Sequence, residues 1–125
     1  MHENEIGKMI VDAAVKLHKK LGPGLLESVY EVLLAYELNK LGLKTVRQFP
    51  VKIKYDHIVF DEAFRADIIV NEKVLIEIKS VEKLNNAHKK QLLTYLKLTN
   101  LKLGYLINFS EALLKDGITR TVNQL

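Results

Sequence analysis

The chain predicts an α/β sandwich, a central mixed sheet with helices packed around it. Three observations predict it. Two segments near the N-terminus repeat apolar residues at helical spacing. A block of β-branched runs follows, broken by polar turns. A third helical segment then separates that block from a further apolar run, Lys102 to Phe109.

The elements follow in order. Glu5 to Leu21 places Ile6, Met9, Ile10, Ala13, Ala14 and Leu17 at helical spacing. Gly22-Pro23-Gly24 ends that helix. Leu25 to Leu41 predicts a second helix, stopped by Gly42. Thr45–Phe49 and Val51–Tyr55 predict strands, with Pro50 marking a break or a sheet edge. Ile58–Phe60 predicts a short further strand. Phe64–Val70 and Val74–Lys79 then form a hairpin around a polar turn. Asn86 to Leu98 predicts the third helix, with Asn85 or Asn86 as N-cap. After the strand Lys102–Phe109 come one helical turn, Ser110–Leu114, and a last strand, Ile118–Val122.

Composition bounds the function. The 125 residues suit one domain with a single core. They are 48% hydrophobic and 27% charged, as in ordinary globular domains. No apolar run approaches the roughly 18 residues of a membrane span, and Met1-His2-Glu3-Asn4-Glu5 has no signal-peptide pattern. A cytoplasmic location without membrane attachment is the expectation. Cysteine is absent, which excludes disulfides, thiolate metal sites and a Cys nucleophile. The net charge of +4 is compatible with a polyanionic partner.

The hairpin carries the chemistry. Side chains alternate along a strand, so Glu77 and Lys79 share one face and Val74, Ile76 and Ile78 the other. Two acids and a lysine on adjoining strands are the minimum set for metal-assisted phosphodiester hydrolysis. Opposed residues on antiparallel strands share a face. A three-residue loop, Asn71-Glu72-Lys73, pairs Val70 with Val74 and so Asp67 with Glu77. A two-residue loop pairs Asp67 with Ile76 and turns the acid away, unless a bulge corrects the phase. The catalytic reading predicts the first register or a bulge. The same Asp, Glu and Lys also fit a solvated cross-strand pair on a surface hairpin.

Two helices add candidates. Glu27 shares a stripe with Leu34 and Leu38, so the spacing places an acid at the end of a buried face. Glu31, one turn on, is its rival, and an acid in a helix's first turn also simply suits the N-terminal dipole. The third helix carries His88, Gln91 and Tyr95 on one face. Gln and Tyr can donate to a phosphate or hold a water; Tyr95 also fits the core, and His88 and Gln91 a solvated face. Lys19-Lys20, Lys89-Lys90 and Lys97 suit solvated helix faces as well as phosphates.

These residues together resemble the GxxExxR proteins, small bacterial and archaeal members of the PD-(D/E)XK phosphodiesterase superfamily. The resemblance spans about Ile6 to Val122. It rests on Leu21-Gly22-Pro23-Gly24-Leu25-Leu26-Glu27-Ser28-Val29-Tyr30, Phe64-Arg65-Ala66-Asp67, Glu77-Ile78-Lys79, His88 with Gln91-Leu92-Leu93-Thr94-Tyr95-Leu96, and Gly104-Tyr105-Leu106-Ile107-Asn108-Phe109. Gly24 and Glu27 match the naming motif, while Tyr30 stands where it has arginine. The resemblance implies a restriction-endonuclease-like fold with an αβββαβ core. It implies that Asp67 and Glu77, with Glu27 as a helix-borne acid, bind Mg²⁺, for which Mn²⁺ can substitute. It implies that Lys79 assists the attacking water and that Gln91 and Tyr95 match the Gln-x-x-x-Tyr motif of RecB-like nucleases. The expected activity is metal-dependent cleavage of nucleic acid, DNA first. The alternative is a non-catalytic nucleic-acid-binding or dimerisation module on the same fold. A branched-DNA resolvase would require a homodimer, and apolar residues left over on the first helix are the expected dimer surface.

Overall fold

Apolar periodicity and its interruptions set the element order in a computed structural model that describes residues 1–125. Helix α1 spans Glu3–Leu21 and α2 Glu27–Lys40. Strands β1 (Thr45–Tyr55), β2 (Ile58–Val70) and β3 (Val74–Lys79) follow, then α3 (Asn86–Thr99), β4 (Leu103–Asn108), a 3₁₀ turn (Leu114–Gly117) and β5 (Ile118–Val122). From α2 to β4 the order is the expected αβββαβ. The five strands form one sheet, ordered β1-β2-β3-β4-β5. Only β3 and β4 are parallel, joined by the crossover through α3; the other neighbours are antiparallel. No helix is long and apolar enough to cross a membrane.

Local chemistry accounts for the helix ends. Glu3 and Glu5 sit at the start of α1 and His18, Lys19 and Lys20 at its end, each favoured by the helix dipole. Asn85 caps α3, and His88 closes a reciprocal capping box with it. This commits the His88 ring to structure: its Nδ1 accepts from the Asn85 backbone N–H at 3.2 Å.

The sheet has two packed faces. On one, Ile68, Val70, Ile76, Ile78, Tyr105 and Ile107 meet the apolar stripes of α1 and α2. On the other, Ile69, Leu75 and Leu106 meet Leu92 and Leu96 of α3. Burying each such aliphatic side chain contributes about 1.5–3 kcal/mol. The apolar stripe of α1 is consumed here: Ile6, Ile10, Ala13, Ala14 and Leu17 are buried, with Met9, Val11 and Val15 packed beside them. The apolar residues left over on this helix are the half-buried Met9, Val11 and Val15 and the exposed Leu21. A Cβ at Gly7 would collide with the Tyr105 hydroxyl, so glycine lets α1 lie close to β4.

Two strands differ from expectation. Pro50 does not break β1, which runs through it; β1 is a sheet edge, where a missing N–H costs no ladder bond. Likewise β2 is continuous through residues 61–63, which bulge opposite Lys52 where the register shifts between Val51 and Ile53. The helical turn expected at Ser110–Leu114 forms later, at Leu114–Gly117.

Candidate active site

The hairpin register is the one the catalytic reading required. Val70 opposes Val74, Ile69 opposes Leu75 and Ile68 opposes Ile76. One step further, Asp67 meets Glu77, and there carboxylates take over the hydrogen bonding. The Asp67 backbone N–H donates to Glu77 Oε2 at 3.0 Å. The Ile78 backbone N–H donates to Asp67 Oδ2 at 2.8 Å. Each acid is thus held by the strand that carries the other.

Face alternation breaks at the same place. Ile68 packs on the α1/α2 side, yet Ala66 packs on the α3 side. Opposite them on β1, Gln48 adopts a left-handed conformation with φ 52°. Neighbouring residues of a regular strand point to opposite faces, but here Arg47 and Gln48 both reach Glu31. Arg47 binds Glu31 Oε2 through Nε at 3.0 Å and its terminal nitrogen at 2.8 Å. Gln48 Nε2 donates to Glu31 Oε1 at 2.8 Å and lies 3.5 Å from Asp67 Oδ1. Backbone strain of this kind concentrates at functional sites.

These residues line a polar cleft of about 370 Å³ between α2 and the sheet: Glu27, Ser28, Glu31, Arg47, Gln48 and Asp67. Glu27 lies at its exposed rim, where Oε2 accepts from the Ser80 backbone N–H at 2.9 Å. The buried acid of α2 is Glu31, 5% exposed. The stripe that was expected to carry Glu27 inward carries Tyr30, Glu31, Leu34, Ala35 and Leu38 instead.

Burial and like charge dominate the electrostatics. Glu77 is 8% exposed. Desolvation first, and the Asp67 charge second, push its pKa up to about 9. Desolvation also raises Glu31, against the opposing hydrogen bond from Gln48. Tyr95 is raised by burial and then by the charges of Glu77 and Asp67, which puts its hydroxyl within their field. Its ring stacks on Phe64, with centroids 3.7 Å apart. Lys79 follows Glu77 on the same face of β3 and has no carboxylate within 4.0 Å. Gln91 is exposed one turn before Tyr95 and makes no side-chain hydrogen bond within the chain. The structure therefore brings Asp67, Glu77, Lys79 and Tyr95 together and leaves Glu27 at the rim and Gln91 outside the contact network.

The residues fit a hard divalent cation. Asp67 and Glu77 offer oxygen only, and the mutual repulsion that raises Glu77 is relieved by a cation between them. No three Asp, Glu, His or Cys side chains converge as a ligand cage.

Three contributors were not among the sequence candidates. Arg47 and Gln48 sat in an unremarkable strand, and only the left-handed turn of the backbone brings both to the cleft. Asn108 did leave a signal, an amide ending the apolar run Leu103–Asn108. It is fully buried and bonds the Val81 backbone through both side-chain atoms, at 3.1 and 2.9 Å. With the Phe109 N–H to Lys79 carbonyl bond at 2.9 Å, it fixes the chain just past Lys79.

No curated protein and no solved structure matches the chain. The family model of the PD-(D/E)XK nuclease superfamily matches residues 4–121. That match spans both helical layers, the paired strands and every acid of the cleft: the chain belongs to the PD-(D/E)XK nuclease superfamily.

Proposed function

We propose that this protein is a metal-dependent nuclease that hydrolyses phosphodiester bonds, with DNA as its first expected substrate. The observation that carries the reading is the Asp67–Glu77 pair, two carboxylates locked together by each other's strands beside an unpaired lysine. Asp67 and Glu77, with Glu27 at the rim, would hold Mg²⁺ or Mn²⁺, and Glu31 is linked to Asp67 through Gln48. The cation supplies Lewis acidity at the phosphoryl oxygen and a lowered pKa for the attacking water. Lys79 orients that water and neutralises charge growing on the phosphoryl oxygens. Tyr95, held flat by Phe64, borders the acids and donates a hydrogen bond from its hydroxyl to a substrate phosphate; Gln91 donates from its side-chain amide at the outer edge. The Gly24-x-x-Glu27 spacing supports kinship with the GxxExxR proteins, with Tyr30 in a structural role in place of the motif's arginine.

One observation favours the alternative of a non-catalytic nucleic-acid-binding module. Arg47 already neutralises Glu31, and Ser80 occupies one oxygen of Glu27, leaving two acids for the metal. Cleavage assays decide between them. Wild type is compared with Lys79→Ala and Asp67→Ala on linear, single-stranded and branched DNA and RNA, with Mg²⁺ or Mn²⁺. We expect metal-dependent cutting that falls at least about a hundredfold in each variant, with the Lys79→Ala thermal midpoint unchanged. Binding without cutting by wild type would establish the module instead.

A further inference from the structure

The β1–β2 hairpin extends well past the sheet. β2 pairs with β3 only from Ile68 to Val70. Beyond Phe49 and Ala66 the two strands pair with each other alone. A lone two-stranded ribbon is marginal in water. This one nevertheless exposes its large apolar side chains: Tyr55 is 72% exposed and Phe60 50%, with Ile58 and Val59 between them.

Register shows how they are arranged. Tyr55 opposes Ile58 and Ile53 opposes Phe60, so these four share one side. By alternation along β1 it is the side of Val51, which lines an apolar groove of about 570 Å³ at the ribbon's root. The groove also includes Val46, Phe49, Ile69 and Leu101. One surface therefore combines a projecting apolar tip with an apolar hollow.

Charge selects the occupant. From Phe49 to Ala66 the ribbon carries Lys52, Lys54 and Arg65 against Asp56, Asp61 and Glu62, so it is neutral within a chain of net charge +4. Nucleic-acid interfaces are strongly positive, which this neutral ribbon is not. The groove's Lys44 is already paired with Glu72 at 3.0 Å, which leaves Lys52 as the cation complementary to the acid at the tip, Asp56.

We propose that this surface binds a second copy of the chain, each ribbon tip seated in the other's groove about a two-fold axis. A surface holding both tip and hollow closes on itself in that way and leaves neither exposed. The inference stands apart from the nuclease reading, since no residue of the acid cluster takes part.

Sedimentation velocity of the full chain over a wide concentration range tests it, beside Tyr55→Ser/Phe60→Ser and Lys52→Glu, with folding checked by circular dichroism. We expect a wild-type dimer whose dissociation constant rises about tenfold or more in each variant. Lys52 is exposed, so its variant reports even if the aromatic pair proves necessary for folding. A wild type that stays monomeric throughout overturns the proposal, as does a dimer indifferent to both variants. Monomeric wild type whose affinity for a DNA duplex drops in the ribbon variants also overturns it and assigns the ribbon to nucleic acid.

Discussion

Glu77 is the residue whose energetics are most exposed to test. Its folded pKa is raised to about 9 from an ordinary 4.5, chiefly by burial and then by Asp67. A raised pKa means that the native state holds a proton the unfolded chain has released. Its stabilising contribution is complete below about pH 4.5 and is lost as pH rises through 9. Glu31 is shifted in the same direction. Metal-free Glu77→Gln should therefore melt above wild type at pH 8, by about several degrees, and flatten the decline in stability between pH 5 and pH 9. Mn²⁺ should raise the wild-type midpoint and leave the variant's unchanged, because a ligand bound only by the native state stabilises it. Scanning fluorimetry over pH, with and without Mn²⁺, checks both; a variant that melts below wild type at pH 8 contradicts the assignment. The acids of the hairpin were legible as a pair because a three-residue loop opposes Asp67 to Glu77, although the sequence left a two-residue loop open and the structure decides between them. Choosing between Glu27 and Glu31 was beyond the same reasoning. Both lie on the inner side of α2, and what separates them is where the helix begins and that Arg47 and Gln48 come round to meet Glu31.

At the scale of elements, the entry into α2 shows how one side chain secures a loop. Tyr30 is fully buried and stacks on Phe109, centroids 4.3 Å apart. Its hydroxyl donates to the Gly22 carbonyl at 2.6 Å and accepts from the Leu25 N–H at 3.1 Å. The Gly22-Pro23-Gly24 turn, with both glycines at positive φ, is thereby clamped to the helix that carries Glu27 and Glu31. Tyr30→Phe keeps the stack and strands two backbone groups. We expect a loss of about 1–3 kcal/mol by urea unfolding, with a circular dichroism spectrum like that of wild type. An unchanged midpoint would mean that water replaces the hydroxyl at no cost. The helices themselves were legible from periodicity, to within about two residues at their ends. Of the two readings of Pro50, a break or a sheet edge, the structure bears out the edge, whereas the run Asp61-Glu62-Ala63 misled because a bulge absorbs it without ending the strand.

Over the whole molecule, stability is graded from the sheet centre outward, and this follows from the order of the strands. β3 and β4 are central and nearly every residue in them is buried, with helices on both faces. This gradient was partly legible, since Val74–Ile76 and Leu103–Ile107 are apolar runs of the kind a doubly covered parallel pair requires, with Glu77 the charged interruption. The ribbon was not, because its apolar residues alternate as in a half-buried strand and only the three-dimensional pairing shows that its outer part, Tyr55 to Phe60, is uncovered. The two regions should therefore open by different routes. Amides of β3 and β4 have no exchange path short of global unfolding, whereas the ribbon can separate without disturbing either core. In native-state hydrogen exchange at low protein concentration, we expect β3 and β4 to report the full unfolding free energy with a full denaturant slope. Protected amides between Ile53 and Phe60 should exchange at least about thirtyfold faster, with little denaturant dependence. Raising the concentration should slow only the ribbon if its apolar face is covered by a second chain. Ribbon amides that exchange at the global rate in dilute solution would show instead that the hairpin is held by the core as firmly as the central strands are.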